Sequence, residues 1–465
     1  MKSNRVPPSI IIGILSLSGV VAALNQTLVI PLIPAFPEIL DVSSEDASWF
    51  ITITIVVGAV SIPTISRLAD MYGKRRMLLL CLFLMAIGAA ISGAGNDYVP
   101  VLIGRGLAGF GLPLIPIGIS ILRDSLPPHR IGTAVALMSA TLGIGTALGL
   151  PLSGVLYQTV GWRWAFWLTL IVAGVLAIAV IVWVPTTHHG HGGRFDLPGA
   201  VMLSAAVAAI VVTISKGGVW GWGSPLTFGT FGSALVLLAF WVLFELRTRD
   251  PIVDLRSSGS RPVALTNIAA VLIGFALFIN LLLAMQQLQA PEATGYGFGL
   301  SVLDASILMI PSGVAMVALS PLNGYLLRVW SGKYVLILGA TIMSAGYVLR
   351  IFLSDTAFQV VVSTTIVNIG TAFAYAAMPT IIMTAVAVDK TAAANGLNTL
   401  VRQIGMSASS SSVAAVLATG TLSIAGAIYP TWQAMTQLNL LAAGACVIGA
   451  AISCWVPAPA APDVL

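Results

Sequence analysis

Three ionisable side chains interrupt long apolar stretches of the sequence, and their chemistry suits proton handling. Asp304 and Glu245 carry carboxyl groups, and Arg105 lies in a glycine-rich apolar run. Charged groups at membrane depth are costly and commonly mark ion or proton pathways. A carboxyl group can bind and release a proton, whereas a guanidinium group stays protonated and can only influence a neighbour. We therefore predict Asp304 as the coupling carboxylate, Glu245 as a second candidate, and Arg105 as a residue that tunes proton transfer.

Each of these three residues also has a purely structural interpretation. Asp304 follows Ser301 by three residues, which equally suits an aspartate in the first turn of a helix at the outer membrane surface. Arg105 lies early in its apolar run, from where its long side chain can extend to the interface. Glu245 precedes two arginines, with which it can form an interfacial ion pair.

A polar stretch at residues 67–76 separates two apolar runs and holds four cations and one carboxylate. Such a stretch cannot enter hydrocarbon, so we predict a tight interfacial turn whose cations mark the cytoplasmic side. The predicted gating loop comprises Asp70, Gly73, Lys74 and Arg75. In it, Gly73 allows the chain to reverse. The Asp70 carboxylate is expected to bind a neighbouring helix N-terminus or basic group in one conformation and to release it in another.

One later apolar run is rich in small residues and contains a proline. Its members are Gly145, Gly149, Pro151 and Gly154. Small residues four positions apart let helices approach closely, and a proline loosens one helical turn. The spacing alone is consistent with ordinary helix packing.

Amide and aromatic side chains within the apolar runs form a predicted substrate cavity. Together they would make a mainly apolar site with a few hydrogen-bonding groups, which suits lipophilic molecules. Any one of them can instead cross-link two helices. The candidates are Asn25, Gln26, Trp49, Phe50, Asn280, Gln286, Asn368, Phe373, Tyr375 and Gln403.

Composition excludes a soluble globular protein. The chain of 465 residues is 58% hydrophobic and only 8% charged, with a mean hydropathy of +0.99, whereas soluble domains average roughly 25% charged residues. The net charge of +5 does not indicate a nucleic-acid partner, because the cations fall in loops rather than on one face. A polytopic helical membrane protein fits, in which each span takes about 20 apolar residues.

We predict fourteen spans and an all-α fold, with two six-helix bundles built from inverted repeats and two additional central helices. The corresponding domains are residues 1–184, 185–262 and 263–465. With both termini inside, outer segments hold only Arg163, Lys216 and Arg350, which agrees with the positive-inside rule. The predicted spans are 9–31, 47–66, 77–95, 100–122, 132–157, 163–184, 197–215, 226–245, 263–289, 302–327, 334–352, 357–384, 394–419 and 433–455.

Enzymatic and metal chemistry are not expected. The sequence has no Walker loop and no catalytic cluster. His188, His189 and His191 lie in a glycine-rich linker, but no carboxylate or cysteine is near enough to complete a metal site. We interpret this linker as a flexible connector.

Three motifs resemble those of the major facilitator superfamily. The spacing of Asp70 before Gly73 and Lys74 resembles the loop between its second and third spans, although Ser66 replaces a usual glycine. The glycine-flanked Arg105 resembles the fourth-span motif, which is linked to proton transfer. The stretch from Gly145 to Gly154 resembles the antiporter motif, a helix thought to hinge the cavity and to favour export.

Further stretches resemble the fourteen-span drug:proton antiporter family, the EmrB/QacA type. They are Leu24-Asn25-Gln26-Thr27, Gly161-Trp162-Arg163-Trp164, Arg249-Asp250-Pro251, and Asn395-Gly396-Leu397 with Arg402-Gln403. The family commonly has aspartate where this chain has Asn25. Because asparagine cannot exchange a proton, the resemblance does not carry a first-span proton acceptor over to this chain.

The resemblance implies a proton-coupled secondary exporter of lipophilic drugs or other small molecules. It would work by alternating access in the cytoplasmic membrane, with both termini cytoplasmic. No cofactor is expected beyond the proton gradient, and the expected partners are a small lipophilic substrate, protons and the bilayer, in a monomer. Two alternatives stay open: a dedicated exporter of one secondary metabolite or siderophore, and a non-transporting membrane receptor.

Overall fold

The computed structural model describes residues 6–33, 35–186, 195–424 and 427–457. Nearly all of them are helical, because apolar segments in a membrane must pair their backbone groups internally. The histidine-rich linker falls outside the described residues.

Eight helices form the N-terminal half: α1 (Pro8–Thr27), α2 (Phe36–Leu40), α3 (Ser44–Tyr72), α4 (Lys74–Ala94), α5 (Tyr98–Ala108), α6 (Leu114–Ser125), α7 (Pro128–Thr159) and α8 (Trp164–Trp183). Three helices follow: α9 (Leu197–Trp220), α10 (Pro225–Glu245) and α11 (Leu255–Ser258).

The C-terminal half contains α12 (Arg261–Gln289), α13 (Val302–Leu308), α14 (Ile310–Ala318), α15 (Ser320–Val329), α16 (Gly332–Phe352), α17 (Ala357–Ala385), α18 (Thr391–Thr419) and α19 (Trp432–Cys454). Short 3-10 helices occur at Ile30–Leu32, Gly109–Gly111, Glu292–Thr294 and Val388–Lys390.

Within the described residues, 12 helical segments are long and apolar enough to cross a membrane. The prediction of fourteen spans also includes residues 132–157 and 394–419, which fall in α7 and α18. These helices are 32 and 29 residues long, but neither is among the 12. The structure therefore supports a multi-pass helical protein with about twelve candidate spans.

Two features depart from the predicted all-α fold of continuous spans. Strands β1 (Thr421–Ile424) and β2 (Ala427–Pro430) form an antiparallel hairpin between α18 and α19. The predicted span at 302–327 is divided into three helices, because Pro311 and Pro321 each lie in the first turn of a new helix. Proline has no backbone N–H to continue the preceding helix.

Helices of the two halves pack together along two lines. In the N-terminal half α1 packs on α6, α7 and α8, and in the C-terminal half α12 packs on α17, α18 and α19. Between the halves, α7 lies along α14, α15 and α17, while α3 lies along α18. Helix α9 packs on both α3 and α18, and α10 packs chiefly on α9.

Two cations assigned to outer segments are buried in helices instead. Arg350 lies in the last turn of α16 and is fully buried, and Lys216 in α9 is 1% exposed. Hydropathy placed them outside because each lies close to the end of its apolar run. Arg163 is exposed, as expected for a loop residue.

Candidate functional site

A cavity of about 120 Å³ lies between the two halves. Five of the ten predicted cavity residues line it: Gln26, Asn280, Asn368, Tyr375 and Gln403. Half of the other lining residues are leucine, isoleucine, methionine or phenylalanine. The volume is well below the roughly 300–1,000 Å³ of sites that hold drug-sized ligands, so the halves must separate before such a molecule can enter.

The other five predicted residues do not line this cavity. Phe50 stacks edge-on against Phe36 at a centroid distance of 5.0 Å in a separate apolar cluster. Trp49 lies under the ammonium group of Lys216, which is 4.6 Å from the ring centroid. Phe373 is buried in the core of the C-terminal half. Each of these three rings packs against an apolar or cationic neighbour on another helix. Sequence spacing does not reveal such contacts.

The remaining two are amides. Gln286 is half-buried on α12 without reaching the cavity wall. Asn25 is buried, and its side-chain oxygen accepts a hydrogen bond from Arg105.

Arg105 of α5 is enclosed by neutral groups of α1 and α3. Its side chain is 1% exposed, so it does not extend to the interface. The guanidinium group donates to the backbone oxygens of Phe50 (3.2 Å) and Asn25 (3.1 Å) and to the Asn25 side-chain oxygen (3.3 Å). Asn25 in turn donates to the Ala108 carbonyl at 3.1 Å. Asn25 thus links Arg105 to the end of α5.

A second buried arginine, which the sequence did not single out, lies beside the cavity. Arg350 Nη2 donates to the side-chain oxygen of Asn280 at 2.6 Å and also to Thr364 Oγ1. Asn280 donates to Asn368 at 3.1 Å, and Asn368 donates to Ser312 at 3.1 Å. All of these residues except Arg350 line the cavity.

A third arginine forms part of the cavity wall itself. The Arg402 guanidinium lies 4.3 Å from the centroid of the Tyr375 ring, within cation–π range. The Arg402 side chain is 6% exposed. The sequence placed Arg402 within a span, but its neighbour Gln403 was the predicted contact.

Asp304 lies in the first turn of α13 and is exposed. The Ser301 hydroxyl accepts from the Asp304 backbone N–H at 3.1 Å and donates to its carboxylate at 2.7 Å. This position corresponds to the first-turn interpretation and lacks the burial on which its predicted proton-acceptor role depended.

Glu245 is buried and makes no ion pair with the arginines that follow it. One carboxylate oxygen accepts from the Val253 backbone N–H at 2.8 Å. The other faces Asp196, since a Cβ placed on Gly199 would lie 2.8 Å from Glu245 Oε2 and 2.1 Å from Asp196 Oδ2. Glu245 and Asp70 line one polar cavity, separate from the central one.

The gating loop contacts the opposite half of the molecule. Gly73 joins α3 to α4 with φ of +108°, a conformation that glycine adopts without strain. We call this end of the bundle the Gly73 end. Here the Asp70 carboxylate accepts from the backbone N–H groups of Ala392 (3.3 Å) and Ala393 (2.8 Å) at the start of α18. A carboxylate at a helix N-terminus is favoured by the partial positive charge there.

Arg123, which the sequence did not nominate, reinforces this closure. It donates to the Thr391 hydroxyl and to the Val386 carbonyl (3.2 Å), both in the C-terminal half. Deeper in the bundle, the Ser139 hydroxyl donates to the Tyr375 carbonyl at 3.1 Å. The halves are therefore joined at the Gly73 end by polar contacts.

Lys74 and Arg75 stay within the N-terminal half. Lys74 Nζ forms a buried ion pair with Asp124 at 2.7 Å. Arg75 donates to the Ile181 carbonyl at the end of α8. These two cations position the loop, and the carboxylate of Asp70 makes its contact across the interface.

The glycines of α7 set its distance from α1. A Cβ at Gly145 would lie 2.3 Å from Ala23 Cβ, and one at Gly149 would lie 1.8 Å from Thr27 Oγ1. Pro151 lies inside this continuous helix. A Cβ at Gly154 would lie 3.8 Å from Leu303 Cδ1 in the other half.

Within the described residues, no group of three or more histidine, cysteine, aspartate or glutamate side chains is arranged to hold a metal ion.

A helical bundle with many membrane-length segments, a central cavity between two halves and a polar closure at one end defines a membrane transporter. The Major Facilitator Superfamily model matches residues 15–410, and the chain belongs to that family. The fold is also similar to that of the human organic anion transporter MFSD10 (TETRAN), with a TM-score of 0.70, 14% identity, and coverage of 97% of this chain and 100% of that chain.

Several relatives are resistance or export proteins. The chain is 27% identical over 325 residues to the tetracenomycin C resistance and export protein of Streptomyces glaucescens, covering 70% of this chain and 59% of that protein. It is 26% identical over 385 residues to multidrug resistance protein Stp of Mycobacterium tuberculosis, covering 81% of this chain and 70% of that protein. It is 28% identical over 298 residues to the lincomycin resistance protein of Streptomyces lincolnensis, covering 63% of this chain and 60% of that protein.

The matched regions thus span only part of each relative. Family and fold identify a multi-pass membrane transporter rather than an enzyme.

Proposed function

We propose that this protein is a proton-coupled secondary exporter that moves drug-like small molecules by alternating access. The observation that carries the proposal is the central cavity between two halves that are joined at the Gly73 end by Asp70 and the first turn of α18. Relatives named for resistance and export support the outward direction. The protein is proposed to work as a monomer, since the cavity lies within one chain.

The proposed membrane arrangement has fourteen spans, as in the EmrB/QacA type. Helices α7 and α18 are long enough to cross a bilayer at 1.5 Å per residue. Added to the 12 apolar segments, they would give fourteen spans. The basic Gly73 end is proposed to face the cytoplasm, because lysine and arginine are retained on that side. Both termini would then be cytoplasmic, in the cytoplasmic membrane.

In this arrangement the structure corresponds to a state that is closed toward the cytoplasm. Lining residues of α17 such as Thr364 and Asn368 come from the half of the helix remote from the Gly73 end. Loading from the cytoplasm requires that Asp70 release the N-terminus of α18 and that the cavity widen.

For proton coupling we propose Glu245 ahead of Asp304. Glu245 is buried, and its unpaired oxygen faces the unpaired oxygen of Asp196. Two carboxyl groups that face each other cannot easily both be charged, so they tend to hold one proton between them. The pair is close to the gate, because Glu245 and Asp70 line the same polar cavity.

Proteoliposomes with a pH gradient across their membrane test the proposal. Purified protein should drive accumulation of a fluorescent dye, either rhodamine 123 or fluorescein, when the gradient is imposed. An uncoupler should collapse the accumulation, and Glu245→Gln should reduce gradient-driven flux while sparing dye exchange at equal pH. Flux of both dyes that ignores the gradient and the uncoupler would refute proton coupling.

A dedicated exporter of one natural product is the second candidate. It is favoured by the two Streptomyces relatives, each named for a single antibiotic. A panel of unrelated dyes and antibiotics separates the two functions, since a dedicated exporter would protect cells against one chemical series only.

A further inference from the structure

We propose that the central cavity selects amphipathic organic anions and that Arg402 binds their anionic group. This inference rests on the proposed function for its transport step, and it names the class of substrate.

The charge of the cavity wall is the first observation. Among the described residues that line the cavity, Arg402 is the only charged one, and no carboxylate is among them. A lipophilic cation would therefore enter a site with a like charge and no counter-charge. At low effective dielectric constant that repulsion is much stronger than in water.

The state of Arg402 is the second observation. Within the described part of the chain, its guanidinium group makes no hydrogen bond or ion pair, and its close polar neighbour is the face of the Tyr375 ring. A buried guanidinium group normally pairs with a carboxylate, a phosphate or backbone carbonyls. Here the donors face the cavity, where the anionic group of a ligand can accept from them.

Two neutral donors without partners lie in the same wall. The hydroxyl group of Tyr375 and the amide nitrogen of Gln26 are buried and have no hydrogen-bond partner among the described residues. Leaving such groups unpaired in a buried site is unfavourable, and a bound anion would satisfy them. Gln26 belongs to the N-terminal half and Arg402 to the C-terminal half, so one anion could be contacted from both sides.

Arg350 adds to the positive potential behind the wall. Its partners Asn280 and Thr364 line the cavity, and its Nη1 atom has no partner within the described residues. The apolar side chains that line the cavity, including Met309, Met316 and Phe278, suit the hydrophobic body of the ligand. An aromatic or aliphatic molecule with one acidic group matches both features.

Fluorescein and rhodamine 123 provide a matched pair of probes, because they share a xanthene skeleton and carry opposite charge. Binding to the purified protein in detergent is measured by fluorescence polarisation at mildly alkaline pH. Wild type should bind fluorescein more tightly than rhodamine 123. Arg402→Gln should weaken fluorescein binding by roughly 10- to 100-fold, as expected for a lost charge-assisted hydrogen bond, and should not weaken rhodamine 123 binding.

The control variant is Arg328→Gln, which removes an exposed arginine that lies 5.6 Å from the ring centroid of Tyr325 and is outside the cavity. It should leave fluorescein binding unchanged. Arg402→Lys should restore part of the affinity, and Tyr375→Phe should weaken it by less than Arg402→Gln does. If Arg402→Gln is not folded, the wild-type preference and the other two cavity variants still decide the outcome.

Tighter binding of rhodamine 123 by wild type, or equal fluorescein binding by wild type and folded Arg402→Gln, overturns the inference. Transport separates it from the proposed function. Gradient-driven flux of rhodamine 123 without fluorescein binding would refute the anion site and keep the exporter. Arg402-dependent binding of fluorescein without flux would keep the anion site and refute the exporter.

Discussion

The two halves of the molecule each bury an arginine beside an asparagine of their first long helix, but they use the pair differently. In the N-terminal half, Arg105 donates to Asn25 and to backbone carbonyls, and neither residue lines the central cavity. In the C-terminal half, Arg350 donates to Asn280, which continues through Asn368 into the cavity wall.

The difference teaches where a buried cation only joins helices and where its hydrogen-bond partners line a cavity. Arg105 donates to acceptors on α1 and α3, so it joins these two helices to α5. Arg350 retains a nitrogen without a partner within the described residues, and two of its acceptors, Ser363 and Thr364, also bond to the Val360 carbonyl. The first pair is closed, and the second is open toward the cavity.

The largest expected effect comes from removing each arginine in turn. Arg105→Leu removes a buried donor from the Phe50 and Asn25 carbonyls and from the Asn25 side-chain oxygen, and it should lower the free energy of unfolding by roughly 3 kcal/mol or more. Arg350→Leu should cost less stability, because its hydroxyl partners keep their backbone bonds, yet it should weaken fluorescein binding more. Thermal unfolding in detergent checks the first statement and fluorescence polarisation the second. Equal destabilisation by both variants would break the comparison.

Exchanging the asparagines for aspartate sharpens the comparison. Asn280→Asp places a carboxylate next to the cavity, so it should weaken fluorescein binding by about tenfold, or ~1.4 kcal/mol, and strengthen rhodamine 123 binding. Asn25→Asp creates an enclosed ion pair with Arg105 and should leave both affinities nearly unchanged. A loss of fluorescein binding in Asn25→Asp similar to that in Asn280→Asp would show that both pairs communicate with the ligand.

A several-fold effect is expected where the halves meet. Asp70→Asn removes the charge that faces the N-terminus of α18, an interaction worth roughly 0.3–2 kcal/mol. Dye flux in proteoliposomes should fall several-fold while dye affinity in detergent stays the same, since Asp70 is remote from the central cavity. The control is Lys390→Gln, which removes a partly exposed ion pair with Asp254 at 2.6 Å; it should change flux less. A variant Asp70→Asn with weakened dye binding would contradict a gating role.

The smallest effect is expected at Asp304. Its carboxylate is exposed and accepts from the Ser301 hydroxyl, so Asp304→Asn should change stability by only about 0.5 kcal/mol and leave gradient-driven flux intact. Flux assays beside Glu245→Gln provide the contrast. Loss of uphill transport in Asp304→Asn would restore this residue as the coupling site.

Local patterns in the sequence were sufficient for features that depend on neighbouring residues. The turn at Gly73 follows from spacing and charge, and a helix N-terminus was one of the two kinds of partner predicted for Asp70. Ser301 three residues before Asp304 was enough to state the first-turn alternative, but burial could not be inferred, because it depends on helices far apart in the chain.

The arginine network depends on such distant contacts. Arg350 meets Asn280 on a helix 70 positions away, and Arg402 faces Tyr375 across the interface of two helices. The sequence gives only the presence of a cation near or within an apolar run. The predicted span 334–352 already contains Arg350, but no local signal separates a cavity-facing arginine from an enclosed one such as Arg105.

Helix α10 has a consequence for work on the purified protein. It packs chiefly on α9, and many of its large apolar side chains, among them Phe228, Phe240 and Leu243, are exposed. The surrounding acyl chains therefore act as its remaining packing partners. Detergents that replace them poorly should loosen α10 first and then α9, which contacts both sides of the gate. Measured gating rates will consequently depend on the annular lipid as well as on the chain.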